Sequence, residues 1–377
     1  MAYYFLFPEK DATVYSHPDR DKMNTGHDEI IELVKEKSTT GSFYYPSRIL
    51  MKFKDSEIKD VIQNKSGNQY TANLQLFSTE HKNLAANHTI ETNLIIKSWD
   101  EGTGRYSNLP TSSNGVSWRY RDNDTSKTEW ITSSFDGGTT GSILNSTHLN
   151  PGGGEWAINF VVTQSFSNSE DLDTNINVTS LVDEISSSIF SQTGINLYEG
   201  GFLIRKIESV ENSISSSFGE LKYFSTDTHT IYPPRLAFKW DDSIHNYGSQ
   251  LSTKHSGELN VSLYRNKEEY NQNEEAMFRI HVRDKYPTRS FTTSSNYLDV
   301  GYFKTTSYYS IRDAATEDII IPFDDSYTKL SADNEGMYFK IHMNGLQPER
   351  YYRLLFKHIN NDGITIYDND YYFKVVR

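Results

Sequence analysis

Short runs of β-branched and aromatic residues, separated by Gly, Asn, Asp and Ser, recur along the chain, which is the pattern of strands joined by turns. Tyr3 to Phe7, Ser47 to Phe53, Thr71 to Phe77, Thr89 to Ser98, Glu155 to Thr163, Gly201 to Ile207, Glu220 to Ser225 and Arg235 to Trp240 each have strand length, with apolar residues that give at least one face to a core. These candidates reach the number that a jelly-roll sandwich needs. Only two stretches carry helical spacing. Thr179 or Ser180 can cap Leu181 to Phe190, where Leu181, Val182, Ile185 and Ile189 share a face and Asp183 and Glu184 are expected in the first turn. Ile58, Val61 and Ile62 predict a shorter helix over Asp55 to Gln63.

Two shifts in the pattern divide the chain. Gly102 to Gly154 turns to Gly, Ser, Thr and Asn with isolated Trp118, Trp130 and Phe135, the signature of long loops that carry contacts. Asp241 to Ser256 is polar without periodicity and predicts an interdomain linker. Beyond it, Leu259 to Tyr264, Ala276 to Val282, Tyr308 to Ile311, Ile319 to Phe323, Tyr338 to Met343, Tyr351 to His358 and Tyr371 to Val376 fit an immunoglobulin-like sandwich, with turn signals at Asn344-Gly345 and Asp362-Gly363. The expected fold is therefore all-β: a jelly-roll-like sandwich over 1–242, a linker over 243–256 and an immunoglobulin-like sandwich over 257–377.

Composition sharpens this picture. A hydrophobic fraction of 36% and a net charge of −13 weaken collapse, but 26 Tyr, 20 Phe and 5 Trp among the 377 residues supply a core. The absence of Cys removes thiol nucleophiles, disulfides and Cys-ligated metals. The acidic balance disfavours nucleic acid and anionic membranes as partners. No basic segment precedes the apolar residues after Met1, and no apolar run reaches spanning length, so neither a signal peptide nor a membrane helix is expected.

Candidate chemistry is sparse. The eleven His are scattered without zincin spacing. Asp100-Glu101 and Asp241-Asp242 are adjacent carboxylates, which point to opposite faces of a strand and read as turn anchors, so no enzyme is expected. Asp122 to Asp124, or Asp171 with Asp173, could feed a structural Ca²⁺ site, though neither has full EF-hand spacing; no other cofactor is expected. Trp99, Trp118, Tyr120 and Trp130 read chiefly as core or interface anchors, and alternatively as a platform on which sugar rings stack.

The motifs quoted so far also carry a resemblance. The opening Phe7 to Pro18 (FPEKDATVYSHP), the Ser47 to Phe53 strand, the Ser98 to Arg105 segment (SWDEGTGR) and Pro233 to Asp242 (PPRLAFKWDD) resemble the sandwich of DNRLRE-type, carbohydrate-module-like proteins. Arg283 to Phe291, Ile321 to Ser331 and Gly345 to Phe356, together with the closing YYFKVVR, resemble structural proteins of T-even-like marine cyanophages and related tailed phages. That likeness implies a non-enzymatic virion component of capsid, neck or tail, assembled in the host cytoplasm, in many copies, docked on other virion proteins and on copies of itself. A glycan-binding adhesion module, with a surface polysaccharide as partner, is the alternative. Contacts are expected in Gly102 to Gly154 and in Tyr286 to Phe303.

Overall fold

The computed structural model describes residues 2–37, 44–67, 69–108, 114–124, 127–130, 140–141, 152–167, 172–191, 197–211, 213, 219–246, 252–253, 258–264, 266–286, 301–303, 305–360 and 363–377. Large parts of the expected Gly102 to Gly154 and Tyr286 to Phe303 contact segments, with Phe135, Asp171 and Asp362, lie outside them. The chain is all-β, as its pattern predicts, with several antiparallel sheets and, among the described residues, two short parallel pairings. It divides into two compact units: a larger one of Leu6–Lys65 and Thr71–Ala237, and a C-terminal one of Met1–Phe5, Ser66–Tyr70 and Phe238–Arg377. The break thus falls at Phe238, ahead of the expected linker, and residues 2–5 belong with the C-terminal half.

The first elements are β1 (Ala2–Leu6), β2 (Lys10–Tyr15), β3 (Ile30–Lys37), β4 (Tyr44–Lys52), α1 (Asp55–Asp60), β5 (Thr71–Leu76), β6 (Ser78–Lys82) and β7 (His88–Ile95). They continue with β8 (Tyr120–Asp122), β9 (Thr128–Glu129), β10 (Thr140–Gly141), β11 (Trp156–Phe166), β12 (Thr174–Asn177), α2 (Thr179–Ile189), β13 (Gly201–Lys206), α3 (Glu208–Glu211), β14 (Gly219–Phe224) and β15 (Arg235–Trp240). The larger unit is built on a nine-stranded sheet ordered β10-β11-β7-β13-β4-β3-β14-β6, with β2 also on β4. One edge of β4 is divided: residues 44–46 pair with β3 and residues 47–52 with β2. A four-stranded sheet runs β1-β15-β5-β12. Its β5 alternates cleanly, whereas β2, β4 and β13 are buried on both faces, so their runs of apolar residues need no alternation.

Both expected helices form, with altered ends. α2 starts at Thr179 and buries Leu181, Val182 and Ile185, but Asp183 and Glu184 fall in its second turn. The capping group is the Asn177 Oδ1, which accepts from the Thr179 N–H at 3.0 Å. The Thr179 hydroxyl donates to the same Asn177 oxygen at 2.7 Å and accepts the Ala72 N–H at 2.9 Å. After α1 the chain widens into a π-turn over Val61–Ser66, which keeps Val61 and Ile62 buried beside Ile58.

The C-terminal unit continues with β16 (Ser252–Thr253), β17 (Leu259–Tyr264), β18 (Glu269–Asn271), β19 (Glu275–Asp284), β20 (Gly301–Tyr302), β21 (Ser307–Asp313), β22 (Ile319–Ile321), β23 (Ser331–Asp333), β24 (Gly336–His342), β25 (Tyr351–Asn360) and β26 (Gly363–Val376). One sheet is ordered β16-β20-β19-β24-β23 with β17 on β19, the other β18-β26-β25-β21-β22. Its core is aromatic: Phe278 stacks on Phe339, Phe339 on Tyr309, and Tyr352 on Phe373. Asn344-Gly345 forms a short 3-10 turn rather than a hairpin. Within the expected linker, the Asn246 N–H donates to the Ala332 carbonyl at 2.9 Å, which binds residues 244–246 to β23.

Candidate functional site

The three candidate indoles are core. Trp99, Trp118 and Trp130 are 3%, 1% and 1% exposed, packed with Trp156, Leu50 and Leu203, so none offers a face to a sugar or a partner. Their polar edges are satisfied internally: Trp99 Nε1 donates to the Gly200 carbonyl at 2.9 Å and Trp130 Nε1 to the Ser117 carbonyl at 3.0 Å. Tyr120 is half-buried on the short β8–β9 hairpin, with the Arg119 guanidinium over its ring.

What draws these residues inward is the SWDEGTGR segment and one side chain opposite it. Buried Asn24 accepts the Gly104 N–H at 2.7 Å and the Gly26 N–H at 3.3 Å, and donates to the Glu101 and Val116 carbonyls at 2.6 and 2.8 Å. Gly102 and Gly115 meet back to back, at φ of +77° and +75°; a Cβ on Gly102 would lie 2.7 Å from the Gly115 Cα. Only glycine suits both positions. The adjacent carboxylates Asp100 and Glu101 separate, although they lie in a loop and not on the strand expected. Asp100 is exposed, while Glu101 turns in so that its Oε1 accepts the Asp11 N–H at 3.2 Å. Asp241 closes its own turn on Ser243, Asp173 accepts from Ser78, and Asp122 accepts the Asp124 N–H. Among the described residues no group of three acidic or His side chains could hold a metal ion.

Asp11 is fully buried, and burial pushes its carboxyl up to about 7 even though Thr226 donates to it through both its hydroxyl and its N–H; nearby Glu101 and Asp227 add to the rise. A carboxyl raised from 3.8 holds its proton more tightly when folded, so its contribution is complete below about pH 4 and is lost as pH rises through about 7. Asp11→Asn, which keeps an acceptor for Thr226, is expected to gain on the order of 2 kcal/mol on the wild type between pH 4 and pH 8. Urea midpoints across that range check it. Parallel profiles for the two proteins would refute the assignment.

The aromatic surface that the sequence reading sought among the tryptophans is found in the C-terminal unit. Tyr351 on β25 and Tyr372 on β26 are 57% and 39% exposed. The register pairs Tyr351 with Lys374 and Arg353 with Tyr372, so the two tyrosines are diagonal neighbours on one face. They border an open cleft of about 500 Å³, together with Asp313, Ala314, Glu349 and Arg350. The Arg350 fork holds Asp313 Oδ2 at 2.7 Å from both Nε and a terminal nitrogen, and the Ala315 and Thr316 N–H groups reach Oδ1. Burial alone would raise Asp313; these donors hold it below the usual carboxylate range. Lys374 closes the rim on Glu349 at 2.6 Å. The arrangement presents two apolar ring faces beside fixed donors and acceptors, which suits a small polar ligand with an apolar flank. The signal was in the sequence: in Tyr351-Tyr352 and Tyr371-Tyr372, neighbours on a strand must face opposite ways, so one of each pair turns outward.

A second exposed surface lies further along β26. Beyond the three-against-one bulge where Asp368 to Asp370 oppose Leu355, the outer half of β26 carries Ile364 and Ile366, 66% and 54% exposed. No described strand pairs with its outer edge over residues 363–370, while β18 covers only residues 374–376. Compared with protein-family models, with curated proteins and with solved structures, the chain shows no significant match.

Proposed function

We propose that this chain is a non-enzymatic structural protein of a tailed-phage virion, present in many copies and held by contacts of its β-domains with neighbouring virion proteins. The sequence resemblance supplies the context. The observation that carries the reading is the end of the β25–β26 hairpin, where Ile364 and Ile366 stand on an edge unpaired among the described residues. Strand edges that expose apolar side chains recruit other chains. In this reading the larger unit is a jelly-roll-like docking body and the C-terminal unit an immunoglobulin-like one, assembled in the host cytoplasm onto capsid, neck or tail and onto further copies of itself. Mass spectrometry of purified virions tests it. The chain is expected in the particle, and Ile364→Asp/Ile366→Asp is expected to fold yet to drop at least tenfold in incorporation. Virions devoid of the wild-type chain would end the proposal.

The Tyr351–Tyr372 cleft favours a second reading, a glycan-binding module on the virion surface. Binding on a glycan array that disappears with Tyr372→Ala would support it, and a silent array with folded protein would remove it.

A further inference from the structure

The larger unit holds more buried positive charge than its acids balance. Arg48, unexposed, makes a two-pronged pair with Glu211 at 3.0 Å, and Arg205 meets the same carboxylate at 3.0 Å and Glu91 at 2.5 Å. Those four charges cancel. Of the other buried charges, Asp11 and Glu155 are acids and Lys52 pairs with Asp55, which leaves Lys35 at 2% and Lys206 at 6% exposure. Lys35 is satisfied: its ammonium donates to the Val210 and Ser213 carbonyls and lies over the Tyr44 ring. Lys206 has no hydrogen-bond or ion-pair partner among the described residues. Instead it lines a cavity of about 100 Å³ whose other walls are mostly apolar, among them Leu33, Ile90, Val210 and Leu221. His88 lines the same cavity; its Nδ1 is placed against the Ala85 carbonyl at 3.3 Å, and its Nε2 is buried without a partner.

We propose that this cavity, enclosed by β7, β13 and the α3 turn, is a binding site for one small monovalent anion, a carboxylate of the size of formate or acetate, held by the Lys206 ammonium with the His88 imidazole as second donor. An unbalanced ammonium among apolar side chains is costly, and a counter-ion relieves that cost where water only dilutes it. Burial first, and Lys35 second, push Lys206 down to about 8, so at neutral pH it still carries the charge that an anion would meet. With Nδ1 facing a carbonyl as a donor, neutral His88 presents Nε2 as an acceptor; burial lowers its pKa, and an anion in the cavity works the other way, favouring the doubly protonated ring that donates from both nitrogens. The volume exceeds what a single water fills, yet the cavity is too small for an aromatic acid.

The test uses the full chain at constant ionic strength. Sodium formate is expected to raise the melting temperature of the wild type by about 2 °C or more at saturation, with benzoate inactive and Lys206→Met unresponsive to both. An equal response of wild type and variant to formate overturns the site. Should the variant not fold, the wild type alone decides: formate, and not benzoate, is expected to slow reductive methylation of Lys206 at least threefold by peptide mapping, with exposed lysines as internal controls. An unchanged Lys206 rate overturns the proposal.

Discussion

Alanine in place of Glu211 is expected to destabilise the larger unit by about 4 kcal/mol, the range for breaking a buried ion pair while leaving its partner in place. Here Arg48 loses its carboxylate partner and Arg205 one of two. Arg48 would keep its contacts with the Gly152 and Gly153 carbonyls at 3.1 and 2.9 Å, and its guanidinium would still lie 4.6 Å from the Trp118 ring and 4.9 Å from that of Trp156. Neither contact neutralises it. Arg205, stacked on the other part of Trp156 at 4.7 Å, would retain only Glu91. Urea unfolding followed by tryptophan fluorescence is the natural measurement, because Trp118 and Trp156 sit against the guanidinium groups. The double replacement Arg48→Met/Glu211→Met should recover much of the loss, since removing both charges lifts the desolvation cost. A single-variant effect below about 1 kcal/mol would mean that water or a neighbouring group takes over the role assigned to Glu211.

A comparable loss, again about 4 kcal/mol, is expected of Asn24→Ala. Four backbone groups lose their partner at once, and each buried group left unsatisfied costs roughly 1 to 3 kcal/mol, less whatever the loop recovers by shifting. Asn24→Asp separates the two halves of the argument. It keeps the acceptor that Gly104 and Gly26 use but replaces the donor that Glu101 and Val116 use with a second acceptor. The aspartate variant is therefore expected to be as harmful as alanine at neutral pH and milder in acid, where a protonated carboxyl donates again. Thermal unfolding at pH 4.5 and pH 7.5 resolves this. An aspartate variant that is indifferent to pH would put the weight on the Gly104 contact alone.

How far the sequence could be read depended on whether side-chain type matched burial. Strands such as β5, β15 and β24 were legible because apolar and polar residues alternate or run at strand length. β2 was not, since Lys-Asp opens a segment in which Asp11 is nonetheless interior. β3 hides behind Glu32, Lys35 and Glu36, of which Lys35 is buried by carbonyl contacts that no local pattern announces. The polar strand β6 is largely exposed and held by its pairing with β14 and by the contact of Ser78 with Asp173. Trp99, Trp118 and Trp130 lie in loops and are core, one of the two roles their sequence context chiefly suggests. A Gly- and Asn-rich stretch reads as solvent-facing, whereas here Asn24 and the paired glycines let it fold back over the indoles. Such long-range satisfaction links residues 77 to 92 positions apart, beyond the reach of any window. The Tyr351–Tyr372 cleft depends on a register between β25 and β26 that includes an irregular bulge, so its members were visible as residues but not as neighbours.

The C-terminal unit includes residues 2–5, more than 200 positions before the rest of its strands. Tyr3 donates to Asp324 at 3.2 Å, the Asn344 amide donates to the Tyr4 hydroxyl, and Phe5 packs on Gly345. On the ribosome, residues 2–5 emerge before their partners around 324–345, by roughly 15 to 70 s at 5 to 20 residues per second. Throughout that interval a fully apolar segment, AYYFL, waits without the residues that bury it. The larger unit, encoded between, has time to fold while that segment is still adhesive. Codon choice that slows synthesis past residue 238 lengthens the exposure, and a bulky group attached beside residues 2–5 weighs on the C-terminal unit.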